Sequence, residues 1–212
     1  MAKKHFIKIE YSVLICVTIA FLILTLPFSI GSSRQAGFIS RWNETYNRVE
    51  YMFTVINTHI SNDMIKSMKK AETPAEREKL LLMIVKPYLR INTENSHIRY
   101  YKPRYKNGNK VSKEDLYYFD EIYFAKDKTI IGIKDIQSEI NNAFFMMMFD
   151  INGILPPNKW GYDIFGINIY DGGKIEPFGF DNDMSNLMTD CSSNGTGIGC
   201  SYYYKIGGGF DD

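Results

Sequence analysis

FISRWNETYNRVEYMFTVINTHISNDM, residues 38–64, is the stretch on which the fold turns. Its large apolar residues include Phe38, Trp42, Tyr46, Val49, Phe53, Ile56, Ile60 and Met64, in steps of three and four. Residues three and four apart share one helix face, so this is the stripe of an amphipathic helix. Arg41, Asn43, Glu44, Asn47, Arg48 and Glu50 fill the intervals as a solvated face. A helix with one apolar stripe must bury it, which predicts a domain packed along that face.

Upstream, YSVLICVTIAFLILTLPFSI (residues 11–30) carries no charged side chain. At about 1.5 Å per residue such a run spans the roughly 30 Å hydrocarbon core of a bilayer. Lys3, Lys4 and Lys8 precede it, and basic flanks keep a terminus on the cytoplasmic side. The rest of the chain is then expected outside the cytoplasm. A conventional signal-peptide cut near Ser29–Gly31 is the alternative, although the run is longer than a usual signal core. One helix is predicted from about Ile7 to Met68, loosened at Pro27 and Gly31. At the start of the run stands Glu10. A carboxylate at a membrane edge is costly unless paired; it is either a functional residue or an interfacial glutamate held loosely by lysine.

Downstream, ETPAEREKLLLMIVKPYLRI (residues 72–91) reads as a second helix. Thr73 is placed as N-cap, Pro74 as first helical residue and Glu76 as the capping-box partner. Leu80, Leu81, Ile84 and Val85 supply its buried face, and Pro87 stops it. Residues 92–114 are polar and rich in Tyr, Lys and Arg, with KNGNK as a turn. They read as a solvated connection or, alternatively, a basic aromatic surface. From Tyr117 the pattern turns to strands: YYFDEIYFA, KTIIGI, NNAFFMMMFDI, DIFGINIY and, after DGG, KIEPFGF. FFMMMF is apolar throughout, as in a central strand covered on both faces or one lying under the helix. The tail after Cys200 reads as a short strand from Ser201 to Ile206. The fold class is therefore α+β: a long N-terminal helix, membrane-spanning then amphipathic, packed on a small antiparallel sheet.

Net charge is +1, so nothing global favours nucleic acid. Aromatic residues make up 15% of the chain, which excludes a disordered composition. No enzyme motif is present: His5, His59 and His97 are scattered, and no nucleophile elbow or phosphate loop occurs. Of the three cysteines, Cys16 lies in the apolar run. Cys191 and Cys200 bracket a short Gly/Ser/Asn loop. In an exported chain these two read as a disulfide staple, in the cytosol as free thiols. Asp150, Asn152, Asn158 and Asp163 are hard oxygen donors around a Gly/Pro turn. That set suits either calcium or the capping of turn amides. The spacing of an EF-hand is absent, since Ile154 and Gly161 stand where ligands would be needed.

The N-terminal stretch FIKIEYSVLICVTIAFLILTLP resembles that of type IV pilins and type II secretion pseudopilins. That family has a short basic leader, a cleavage site, a phenylalanine, a glutamate four residues later and about twenty apolar residues. A proline often follows seventeen residues after the glutamate. Phe6, Glu10 and Pro27 fit these intervals behind the leader MAKKH. A second segment, DxNGxxxPNxxGxDxF, is similar to one found in some pilin-like proteins. It is matched by Asp150, Asn152, Gly153, Pro157, Asn158, Gly161, Asp163 and Phe165.

The resemblance implies a subunit of a type IV pilus or secretion pseudopilus in the bacterial inner membrane. Its N-terminus would be cytoplasmic and its head extracytoplasmic. The parts would be a leader (1–5), the membrane half (6–31) and amphipathic half (32–70) of the helix, and an α+β head (71–212). Partners would be the membrane, prepilin peptidase and other pilin-like subunits through the helix. In such assemblies Glu10 would neutralise the amine of a neighbour's Phe6. Pseudopilins often hold calcium in a C-terminal loop, to which Asp181, Asp183 and Asp190 would be the nearest equivalents here. The family's leader ends in glycine, where this chain has His5; Lys8 also replaces an apolar or small residue. The alternative is thus an unprocessed single-pass membrane protein whose external domain binds a ligand or partner.

Overall fold

A computed structural model of the chain describes residues 2–59, 68, 70–92, 101–136 and 142–210, without the side chains of residues 2–10, 24–32 and 59. Helix α1 (Ala2–His59) is a single run of 58 residues that continues across Pro27 and Gly31 without loosening into a break. Phe38, Trp42, Tyr46, Val49, Phe53 and Ile56 are buried, as the stripe predicts, and Met52 and Thr45 join them. Arg41, Glu44, Asn47, Arg48 and Glu50 are exposed. Ile60 and Met64, the end of the expected stripe, lie outside the described residues.

The chain divides into two compact units, Met1–Gly37 and Phe38–Asp212. In the first, every large apolar side chain described between Tyr11 and Ile23 is at least half exposed, from Ile19 at 50% to Phe21 at 66%. Among the described residues no helix is long and apolar enough to cross a membrane.

In the second unit, α2 (Pro74–Leu89) begins as its sequence dictates. Thr73 accepts from the Glu76 N–H at 3.2 Å, and the Glu76 carboxylate accepts from the Thr73 N–H at 3.3 Å. Two details differ from expectation. Leu82 rather than Leu80 is buried beside Leu81 and Val85, with Leu89 completing the face. The run LLL allows either phase, and packing against the sheet selects one. Pro87 lies inside the helix, which ends only at Arg90 in the left-handed region. Its ring offers no N–H to the carbonyl of residue 83, and the helix runs only two residues further.

The sheet is a six-stranded antiparallel meander in chain order: β1 (Ile91–Asn92), β2 (Ile122–Ala125), β3 (Ile130–Asp135), β4 (Ala143–Asp150), β5 (Ile164–Tyr170) and β6 (Ile175–Pro177). β4 is central and covered on both faces, which explains FFMMMF. Phe145, Met147 and Phe149 belong to the core shared with α1 and α2. Met146 and Met148 face a second core with Trp160, Phe119 and Phe178. Side chains alternate across a strand, so the two layers read successive residues of one sequence.

Three expectations are corrected. Tyr117–Phe119 do not extend β2, which starts at Ile122; instead Phe119 folds over β3 above Gly132, where an added Cβ would stand 2.8 Å from its ring. Residues 101–111 are solvated only in part: Lys102, Arg104, Asn107, Asn109 and Lys110 are exposed, but Pro103, Lys106 and Val111 are buried. Lys106 is only 4% exposed, and its ammonium donates to the Cys191 carbonyl and, at 3.0 Å, to the Tyr204 hydroxyl. The KNGNK turn does form, with Gly108 N–H donating to Tyr105 O at 2.9 Å. Finally the tail is helical: α3 (Met184–Cys191) precedes the cysteine loop and α4 (Cys200–Tyr203) follows it. Its aromatic residues suit a strand by propensity, but burial of Tyr203 and Tyr204 against α1 and β5 favours the helix.

Candidate functional site

The connection between β4 and β5 is densely hydrogen-bonded. Asp150 closes β4 and Asp163 precedes β5, and both are fully buried. Between them Gly153 has φ 71°, and an added Cβ would lie 2.5 Å from the Lys128 carbonyl. The Pro156–Pro157 bond is cis, and Asn158 sits at φ 49°, a conformation that asparagine tolerates better than most residues.

Asp150, Asn158 and Asp163 find local hydrogen-bonding roles here, and Asn152 joins them through its N–H groups. Asp163 Oδ2 accepts from the Asn158 N–H at 2.9 Å, and Oδ1 from the Lys159 N–H at 2.6 Å. Asp150 Oδ1 accepts from the Asn152 N–H at 3.3 Å. Its Oδ2 accepts from the Tyr101 hydroxyl at 2.8 Å. With its amide turned to satisfy its neighbours, the Asn158 side-chain nitrogen donates to Leu155 O and Gly153 O at 3.0 Å and to Asp150 Oδ2 at 3.1 Å. These bonds turn the loop back on itself so that β5 pairs in register with β4. Tyr101 is the member that sequence reasoning missed, because nothing local ties it to residues fifty positions away.

Burial sets the proton affinities. Desolvation, and then the charge of Asp163, push the Asp150 carboxyl well above the usual range. Desolvation lifts Asp163 to about 6, against the pull of backbone N–H groups at Lys159 and Asn158. Burial and the neighbouring Asp150 raise the Tyr101 phenol as well. Two acidic groups in one dry turn share a reduced charge.

Calcium asks for six to eight oxygens in an open shell. Here the two carboxylates are already occupied by N–H and O–H donors, and Asn152 Oδ1 is the one side-chain oxygen of the four residues that is buried without a partner. Among the described residues no group of three or more His, Cys, Asp or Glu side chains is placed to hold a metal.

The acidic residues near the C-terminus are likewise engaged. Asp183 caps α3 by accepting from the Asn186 N–H at 2.8 Å. Asp190 is enclosed by the loop it precedes, accepting from Thr196 N–H, Thr196 Oγ1–H, Gly197 N–H and Gly199 N–H at 2.5–3.2 Å. Cys191 and Cys200 form a disulfide with Cα atoms 5.3 Å apart, both buried, which ties α3 to α4. Cys16 is a free, exposed cysteine.

The remaining motif residues meet at the same place. Gly161 has φ 73°, and a side chain there would stand 2.8 Å from the Cys200 sulfur. Phe165 stacks on Trp42 of α1 with centroids 5.0 Å apart at 17°. Trp42 Nε1 donates to Ser201 O at 2.7 Å, while the Ser201 hydroxyl accepts from Gly166 N–H at 3.0 Å. The segment thus joins the helix, the two central strands and the disulfide. His5, Phe6, Glu10 and Pro27 lie on the α1 backbone, and their side chains are outside the described residues. His97 is outside them entirely.

Comparison with protein-family models, curated proteins and solved structures returns no match for this chain.

Proposed function

We propose that this chain is a pilin-like structural subunit, held in the bacterial inner membrane and assembled into a filament through the first half of α1. The observation that carries the reading is the two-part character of one helix. From Phe38 its apolar stripe is buried in the head, whereas from Tyr11 to Ile23 its apolar side chains are exposed all round. Helices that are apolar on every face are covered in their working state by lipid or by other helices. The spacing of Phe6, Glu10 and Pro27 supplies the assembly chemistry: a carboxylate four residues beyond the amine that cleavage would create. No catalytic role is part of this reading; the head is a disulfide-tied body.

The test is Glu10→Ala. It should abolish incorporation into filaments while the subunit stays folded and membrane-held; normal assembly of the variant would overturn the reading. His5 favours the second reading, an unprocessed single-pass membrane protein with an extracytoplasmic binding domain. Intact mass of the membrane-extracted protein separates the two. A mature chain starting at Phe6 supports the subunit, and one retaining MAKKH supports the anchored binding protein.

A further inference from the structure

Two exposed apolar patches lie toward opposite edges of the sheet. The first is on α2, which packs against β1 and β3. Leu81, Leu82, Val85 and Leu89 fill its inner face, yet Leu80, Met83, Pro87 and Tyr88 are exposed on the outside. The second is on α3, just beyond the edge strand β6, where Leu187 packs beside Gly179. Met184 and Met188, four residues apart, share the outer face of this helix, and Phe180 stands exposed in the turn before it. Single apolar residues on a surface are ordinary; their grouping on helices whose inner faces are already buried marks a contact surface.

Charge tells the two patches apart. Lys79, Met83, Lys86 and Arg90 follow in steps of four, three and four, so a row of cations borders the α2 patch. Lys126, whose N–H donates to Arg90 O, is exposed beside it. The carboxylates of α2 are engaged elsewhere: Glu76 in the capping box, and Glu78 in accepting the Asp135 N–H. From Ile175 to Tyr204, by contrast, the chain has four carboxylates (Glu176, Asp181, Asp183 and Asp190) and neither lysine nor arginine. Lys174, the cation near Phe180, is paired with Glu176 at 2.8 Å. One patch is thus apolar with a basic border, the other apolar with an acidic border. On opposite edges of one sheet they do not meet within a copy, but they meet between copies set head to tail.

We propose that the head carries a heterologous contact between copies of this chain, in which the α2 face of one head docks on the α3 face of the next. The inference rests on the filament reading, since helix contacts there raise the local concentration of heads and let small patches suffice. Methionine suits such a contact because its flexible side chain adapts to an uneven partner. Repeated, the contact extends as an open row and does not close into a pair.

The test is disulfide trapping in the full-length chain. Met83→Cys and Met188→Cys are combined with Cys16→Ser, reconstituted at high density in phosphatidylcholine vesicles and mildly oxidised. Copies meet there whether or not filaments form. Expected is a ladder of dimers, trimers and larger species, with each single variant staying monomeric. Lys79→Glu with Lys86→Glu, or about half-molar salt, should lower the linked fraction about fivefold or more, and Tyr51→Ala should not change it. The proposal is overturned if the double variant forms no link between copies, if either single variant dimerises, or if charge reversal has no effect. Quenching of a fluorophore at position 83 by brominated lipid overturns it too, because α2 then lies on the bilayer. Filaments that form without the 83–188 link overturn this contact and leave the filament reading standing. A link in a chain that forms no filaments does the reverse.

Discussion

Two carboxyls enclosed in one turn cannot both be charged without cost, and Asp150 and Asp163 stand in that position. Both hold their protons more tightly in the folded state than in the unfolded chain. The folded state therefore binds more protons over that interval, and their contribution to stability falls as pH rises from about 4 through about 6. Each unit of displacement corresponds to about 1.4 kcal/mol. Asp127, which burial raises but the Thr129 N–H and Arg48 pull down overall, acts in the opposite sense. The comparison to make is thus wild type against Asp150→Asn by urea unfolding at pH 4–7. The variant should lose stability less steeply with pH, and equal slopes would show that the pair does not couple to folding. If the four residues of this turn serve only to cap it, millimolar calcium and chelator should give melting midpoints within about 1 °C; an upward shift by mass action would restore the ion to this turn. The turn residues themselves were legible as donors in a Gly/Pro loop. Their burial was not, because Tyr101 and the covering core come from distant parts of the chain.

At the scale of elements, α1 is anchored chiefly by Trp42, which stacks on Phe165 and hydrogen-bonds the carbonyl of Ser201. Trp42→Ala should cost about 3–5 kcal/mol, through lost burial and a cavity at the junction of helix, sheet and α4. Tyr51→Ala on the opposite face, 72% exposed, should cost less than about 0.5 kcal/mol. Denaturant midpoints of the two variants check both. Replacing Cys191 and Cys200 together by serine frees a nine-residue separation and should lower stability by about 2–3 kcal/mol, read as a lower melting midpoint. Elements with a local code were readable: the Thr73–Glu76 capping box, the alternating strands, the stripe of α1. Elements decided by what lies above them were not. Leu80 and Leu82 compete for one helix face, and the tail YYY suits a strand by propensity until the core overrules it.

Across the whole molecule, the division at Gly37 predicts that residues 38–212 carry their own core and fold without the first unit. A chain starting at Phe38 should unfold cooperatively with a midpoint within a few degrees of the full-length protein; loss of cooperativity would mean that the head depends on the exposed apolar helix. The meander pairs neighbours in sequence, which is why its order could be anticipated from alternating runs and turns. By itself the sequence determined the class, the long helix with its buried stripe, and the central place of FFMMMF, since each follows from periodicity within a few residues. Only the tertiary structure decided that Lys106 is buried beneath the cysteine loop, that the tail is helical, and that Asp150 meets Tyr101. Those are encounters between segments far apart in the chain. Their energies depend on desolvation and packing, which no local pattern of residues records.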